Sequence, residues 1–341
     1  MRTRSRYGGS VVAVQGPAHR FVETEGARVH IAEQGEGHPV IFCHGFPHTW
    51  YMWHRQLPAV AAAGYRAIAP DLRGYGRTEV ADDPDAYTNR AVAGDLLALL
   101  DDLGAERAVF VGLDFGAQLV WELAWRAPER VSGLIVLNNP IQPRPPKAPS
   151  ELWARAAQRH FLHLDYFQKP GVADAELAAD PRSFLQRVYY SLSADYHYLD
   201  TWQHPAEGTG YLDVLPQAPA LPWRWLADAD LDTLAAEFDR TGFTGGLNWY
   251  RALDRNWELT AEYADAKVTV PAYFLYGDRD PDMEGFSGRD PLGTLRATVP
   301  DLRAVTEIAD AGHLVQLERA EEVNALLLEH LRDLLGNGSS S

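Results

Sequence analysis

Cysteine is almost missing from this chain: its 341 residues include one, Cys43, so no disulfide can form within it. Long apolar runs are missing too. No stretch approaches the roughly 18 consecutive apolar residues of a membrane-spanning helix. The first twenty residues, MRTRSRYGGSVVAVQGPAHR, lack the apolar centre of a signal peptide. Cytoplasmic residence with no membrane partner is therefore the expectation. Positive charge is outweighed, 31 Lys and Arg against 47 Asp and Glu, and the net charge of −16 repels nucleic acid and anionic lipid. No internal repeat of about 20–50 residues marks a solenoid, and no glycine-rich phosphate loop marks a nucleotide site. A small molecule is the partner these absences leave.

Apolar residues are plentiful at 46%, enough for a large core. Short runs of β character, Val40 to Cys43, Tyr65 to Ala69, Ala108 to Gly112, Val131 to Leu137 and Val268 to Tyr276, alternate with amphipathic stretches such as Ala91 to Leu103 and Phe115 to Arg126. Strands fed through helices predict an α/β fold, a mostly parallel sheet with helices on both faces, because parallel neighbours need long crossovers. The rhythm breaks between about Pro140 and Ala266, a span rich in Trp, Tyr and Pro, and returns at VTVPAYFLYG. That span reads as a helical cap inserted after the sixth strand. The predicted organisation is a core of residues 21–139 and 267–336, a cap of 140–266, and flexible termini at 1–20 and 337–341.

One turn stands out for chemistry. Strand Ala108 to Val111 runs into Gly112-Leu113-Asp114-Phe115-Gly116 and then a helix, the strand, sharp turn and helix context of a nucleophile elbow. Glycines flank it because no Cβ fits there. The central residue is a carboxylate, which attacks an sp3 carbon and forms an alkyl ester that a second step must hydrolyse. Further on, YFLYG leads to Gly277-Asp278-Arg279-Asp280, and Ala304 to Ile308 leads to Gly312-His313. Nucleophile, acid and histidine in this order, each at a strand end, is the triad order of the α/β-hydrolase fold. His313 would activate water and Asp280 would orient it. Asp278 and Asp282 share that loop and stay open as alternatives, whereas Asn138 and Asn139, at the end of the sixth strand, cannot stabilise imidazolium. His44-Gly45-Phe46-Pro47 aims a backbone N–H at the elbow, so the N–H groups of Phe46 and Phe115 form the expected oxyanion hole, over a structural His44.

With these residues in view, the chain resembles the soluble epoxide hydrolases from about Phe21 to Leu335. HGFPHTWYMWHRQLPAVAAAGYRAIAPDLRGYGRT, GLDFGA, YFQKPGVADAELAAD, TGFTGGLNWYRALDRNWELTA, GDRDP and GHLVQLERAEEVN are similar to that family's successive motifs, in order. The LNWYR context implies that Tyr250 donates to the epoxide oxygen. The chemistry asks for such a group, since ring opening develops an alkoxide and a phenol of pKa about 10 can donate to it at neutral pH. The family's first cap tyrosine, five residues before Gln168, corresponds to His163, which donates as a neutral imidazole and whose ordinary pKa of about 6.5 predicts pH-sensitive activity. Tyr166 is the alternative donor. Leu113-Asp114-Phe115 replaces a common His-Asp-Trp, and Ala320 a common Pro, which is expected to be neutral.

The aromatic cap (Trp202, Trp223, Trp225, Trp249, Trp257, Phe161 and Phe167) predicts a pocket for a hydrophobic epoxide, with Trp249, Phe161, Phe167, Tyr166 and Leu314 as its wall. Water is the only co-reactant this mechanism needs, with no metal or other cofactor. The pairs His44/His48 and His160/His163 lack the further ligands of a metal site. A homodimer is compatible with this reading. Two alternatives remain: a haloalkane or haloacid dehalogenase, against which stand Phe46 and Phe115 where halide donors would sit and no Arg after the nucleophile, and a non-catalytic small-molecule binder.

Overall fold

The computed structural model describes residues 16–336; of the expected flexible termini 1–20 and 337–341, residues 1–15 and 337–341 lie outside the described residues, while residues 18–20 belong to a strand. Strands β1 (Ala18–Glu23), β2 (Arg28–Gln34), β3 (Pro39–Cys43), β4 (Arg66–Pro70), β5 (Ala108–Leu113), β6 (Val131–Leu137), β7 (Ala272–Gly277) and β8 (Leu302–Ile308) form one eight-stranded sheet in the order β1-β2-β4-β3-β5-β6-β7-β8. The pairs β1/β2 and β2/β4 are antiparallel and the rest are parallel. The mostly parallel sheet is as the alternation predicted. Two details differ. Ordered sheet begins at Ala18 rather than Phe21, because β1 pairs along its whole length with β2, and β7 begins at Ala272, four residues after Val268.

Helices α1 (Gln56–Ala62), α2 (Asn89–Asp102) and α3 (Phe115–Arg126) follow β3, β4 and β5. Every residue of β3 is buried, and its side chains alternate between the two faces: Val40 and Phe42 pack with Leu57 and Val60 of α1, Ile41 and Cys43 with Leu96, Leu119 and Leu123 of α2 and α3. A strand buried on both faces is what a parallel sheet under two helical layers requires. Each such Leu, Val or Phe contributes about 1.5–3 kcal/mol.

Between β6 and β7 the chain is helical: α4 (Pro149–Ala157), α5 (His163–Tyr166), α6 (Val172–Ala178), α7 (Pro181–Leu192), α8 (Tyr211–Val214), α9 (Asp228–Thr241), α10 (Thr244–Arg251) and α11 (Leu253–Leu259). Helices α12 (Pro291–Thr298), α13 (Val315–Glu318) and α14 (Ala320–Leu335) complete the chain. The entry to α7 follows capping chemistry, with Asp180 accepting from the Ser183 N–H and Pro181 as first helical residue. Glycine decides the seat of α10: a Cβ on Gly245 would lie 2.3 Å from the Gly74 carbonyl oxygen. That close approach, with the Trp249 indole donating to the Arg73 carbonyl at 3.0 Å, brings α10 down onto the end of the sheet where β5 turns into α3.

Candidate active site

Asp114 sits on that turn with φ 56° and ψ −126°, a left-handed conformation costly for a residue with a Cβ. The turn is packed tightly on both sides. A Cβ on Gly112 would lie 2.5 Å from the Gly116 carbonyl oxygen, and one on Gly116 would lie 2.1 Å from the Cys43 carbonyl oxygen. Held this way, the carboxylate stands above the sheet at the N-terminus of α3, where the helix dipole favours negative charge. Its two oxygens have different partners. The Phe46 N–H donates to Oδ1 at 2.7 Å, and His313 Nε2 lies 3.8 Å from Oδ2.

His313 follows β8 and is 4% exposed; Asp280 follows β7 and is 1% exposed. His313 Nδ1 pairs with Asp280 Oδ1 at 2.8 Å, which makes Asp280 the nearest acid of the three loop carboxylates. Asp278 instead accepts from the Ala311 N–H at 3.2 Å, a loop-capping role, and Asp282 Oδ2 is 3.9 Å from His313 Nδ1. Burial opposes charge on His313, but Asp280, Asp114 and Asp282 around it raise its pKa well above the ordinary imidazole value. Asp280, Asp282 and His313 are also the one group among the described residues whose donor atoms are spaced for a cation, within 4.8 Å, and the same atoms make up the acid–base pairing.

The backbone around His313 and Asp114 is tied down by Leu192, Glu318, Asn138 and Asn139. The His313 N–H donates to the Leu192 carbonyl at the end of α7, at 2.8 Å. Glu318 accepts from the Gly312 N–H at 3.0 Å and the Ala194 N–H at 2.9 Å, and burial pushes its pKa up to about 7. Asn138 donates to the His313 carbonyl at 2.6 Å and accepts from the Gly277 N–H at 3.0 Å. Asn139 accepts from the Asp114 N–H at 2.7 Å. The strand end dismissed as an acid position is thus a pair of amide clamps, because an amide both donates and accepts.

Opposite Asp114 are Tyr250 and His163. Tyr250, 7% exposed, has its ring 4.7 Å from Phe115 and 5.4 Å from Phe46, and its hydroxyl makes no hydrogen bond among the described residues. Burial, then the Asp114 charge, raise its pKa well above 10, so it keeps its proton. His163 Nδ1 pairs with the Tyr198 hydroxyl at 3.0 Å, which in turn meets Tyr211 at 2.8 Å. The half-buried imidazole lies among aromatic rings, and burial pushes its pKa down to about 4. It is therefore neutral at physiological pH, and the expected pH sensitivity near 6.5 does not arise from it. Tyr166 is engaged elsewhere: its hydroxyl donates to Glu176 at 2.9 Å.

A cavity of about 800 Å³ opens from Asp114, lined by Phe115, His163, Tyr250 and Asp282 and walled by Trp121, Trp125, Trp153, Trp202, Trp257 and Phe286. Its apolar character agrees with the sequence, but the wall does not. Trp249, Phe161, Phe167, Tyr166 and Leu314 are absent from the lining, as are Trp223 and Trp225. They pack behind it: Trp249 turns to Arg73, and Phe167 backs Tyr250 and Phe46 at 5.0 and 5.8 Å. The lining tryptophans of α3 had a readable signal, since Trp121 and Trp125 continue the Phe115 and Gln118 face at helical spacing. His44, as expected, is structural: its Nε2 accepts from the Leu72 N–H at 3.0 Å.

The chain matches a family model described as the alpha/beta hydrolase fold over residues 38–320. It is 42% identical to epoxide hydrolase A of Mycobacterium tuberculosis, over 93% of this chain and 98% of that one. Among solved structures it is similar to an epoxide hydrolase from an endophytic Streptomyces (39% identity, TM-score 0.89, covering 94% of this chain and 96% of that one). It is also similar to potato epoxide hydrolase I (34% identity, TM-score 0.82, covering 93% and 99%).

Proposed function

The chain belongs to the epoxide hydrolases of the α/β-hydrolase fold, and on that premise we propose that it converts a hydrophobic epoxide to a vicinal diol through an ester on Asp114. Asp114 Oδ2 attacks one epoxide carbon, and the breaking C–O bond leaves its electron pair on the epoxide oxygen. Tyr250 and the neutral imidazole of His163 donate to that oxygen as charge develops. Oδ1 becomes the ester carbonyl oxygen. His313 Nε2 then takes a proton from water, whose oxygen attacks the ester carbon, and the resulting oxyanion forms on Oδ1. The Phe46 N–H is already there, and the Phe115 N–H, which has no intrahelical partner in the first turn of α3, completes the hole. Collapse breaks the bond between that carbon and Oδ2; Oδ2 leaves with the diol and takes the proton held by His313, the water's second proton makes good the one the epoxide oxygen received, and Asp114 keeps the water's oxygen.

The observation that carries this reading is the division of labour within the Asp114 carboxylate, Oδ1 on the Phe46 N–H at 2.7 Å and Oδ2 toward His313 at 3.8 Å. Electrostatics supports the two-step order. The Asp114 charge raises the proton affinity of His313; ester formation removes that charge, lowers the proton affinity of His313 and favours its neutral, basic form. Residues 140–266 act as the cap over a core of 21–139 and 267–336, and the aromatic walls favour a hydrophobic epoxide. Phe46 and Phe115 offer no side-chain donor to a departing halide, which weighs against dehalogenation. A reducing compartment such as the cytoplasm suits a chain whose one cysteine, Cys43, is buried. The test is a single turnover in 18O-water with enzyme in excess: the label should appear in Asp114 and not in the diol. Label in the diol after one turnover would mean direct attack by water and would overturn the ester route.

A further inference from the structure

Asp282 is a second carboxylate at the acid–base centre, and the mechanism above does not use it. Its side chain lines the cavity, whereas Asp280 is buried behind it. Asp282 Oδ2 lies 3.9 Å from His313 Nδ1, the nitrogen that pairs with Asp280 Oδ1 at 2.8 Å, and the Asp282 N–H donates to that same Asp280 oxygen at 3.3 Å. The Asn139 amide donates to Asp282 Oδ2 and accepts from the Asp114 N–H. One side chain thus bridges the nucleophile elbow after β5 and the acid loop after β7.

We propose that Asp282, held by Asn139, is a second acid for His313: a positioning residue that shares the imidazolium charge with Asp280 during ester hydrolysis and orients the ring when Asp280 is removed. The proposal rests on the ester mechanism above. An imidazolium Nδ1–H already bonded to Asp280 gains from a second carboxylate one ångström further off, because in a water-poor site the attraction falls only with distance. Burial, opposed by His313 and reinforced by Asp280 and Asp114, pushes the Asp282 carboxyl up to about 7. Tyr198 and Tyr250 face it as neutral phenols, and Asn139 as a neutral amide. Asp282 is therefore charged above neutrality, the range in which His313 must be held ready, and its charge raises the His313 pKa.

The experiment follows decay of the Asp114 ester in full-length Asp280→Asn, Asp282→Asn and the double variant, with styrene oxide as a probe, by rapid quench and peptide mass. Asp280→Asn should retain measurable decay. The double variant should lose at least about tenfold more than the product of the two single losses. In Asp282→Asn the acid limb of decay should move down by about one pH unit, as removal of a neighbouring negative charge requires. Single losses that simply multiply, or an Asp282→Asn profile superimposable on the parent, would overturn the proposal with the ester route intact. If no ester forms on Asp114 even in His313→Gln, the underlying mechanism fails instead, and the role of Asp282 falls with it.

Discussion

Gly45 lies so close to the nucleophile that a Cβ built on it would stand 1.9 Å from Asp114 Oδ1. The absence of a side chain there is what lets the Phe46 N–H reach the carboxylate. Gly45→Ala should therefore displace Asp114 by a fraction of an ångström to an ångström and lower the rate of ester formation about 100-fold. Stopped-flow alkylation alongside thermal unfolding checks this; a variant with unchanged alkylation would show that the contact with Oδ1 is dispensable.

Tyr250 tests the donor role. Its hydroxyl makes no hydrogen bond among the described residues, so Tyr250→Phe should leave the melting temperature within a degree or two of the parent while ring opening slows about 10²-fold or more. Ester hydrolysis, which does not involve the phenol, should proceed at the parental rate. Equal slowing of both steps would mean that Tyr250 shapes the site rather than donating.

His163 makes a prediction about pH. Its folded pKa of about 4 is below the unfolded value of about 6.5, so as pH falls the unfolded chain takes up the proton first. The part of native stability linked to His163 is lost progressively between about pH 6.5 and 4, and fully present above that window. His163→Phe should flatten the stability-versus-pH curve in that window relative to the parent, measured by urea unfolding. In the parent, ester formation should show no limb from His163 between pH 5 and 8. A limb near 6.5 that disappears in His163→Phe would place the imidazole in a wetter setting than its aromatic surroundings provide.

Much of the site was legible because the elbow, the acid loop and the histidine loop each follow a strand, and strand ends in a parallel sheet lie side by side: Cys43 pairs with Gly112, Leu113 with Leu137 and Gly277 with Ile308. Order along the chain was therefore enough to bring Asp114, Asp280 and His313 together. The pocket wall was not legible in that way. Trp249 and Tyr250 are adjacent in sequence but about 100° apart around α10, and composition cannot say which one faces the cavity. The amide clamps of Asn138 and Asn139 escaped notice because their value depends on which backbone groups the β7 and β8 loops leave unpaired. β1 is mostly exposed and shows little of the apolar pattern of a buried strand, so the antiparallel edge carries no clear signal in the sequence.

The most direct test of the account is the intact and peptide mass of His313→Gln after incubation with a pool of terminal, internal and aryl-substituted epoxides and a few haloalkanes. With the base removed, ester formation should outrun hydrolysis, and the adduct should equal one whole epoxide mapped to Asp114. A bare alkyl group on Asp114 would point to dehalogenation. No adduct from any pool member, with the variant folded, would contradict Asp114 as the nucleophile.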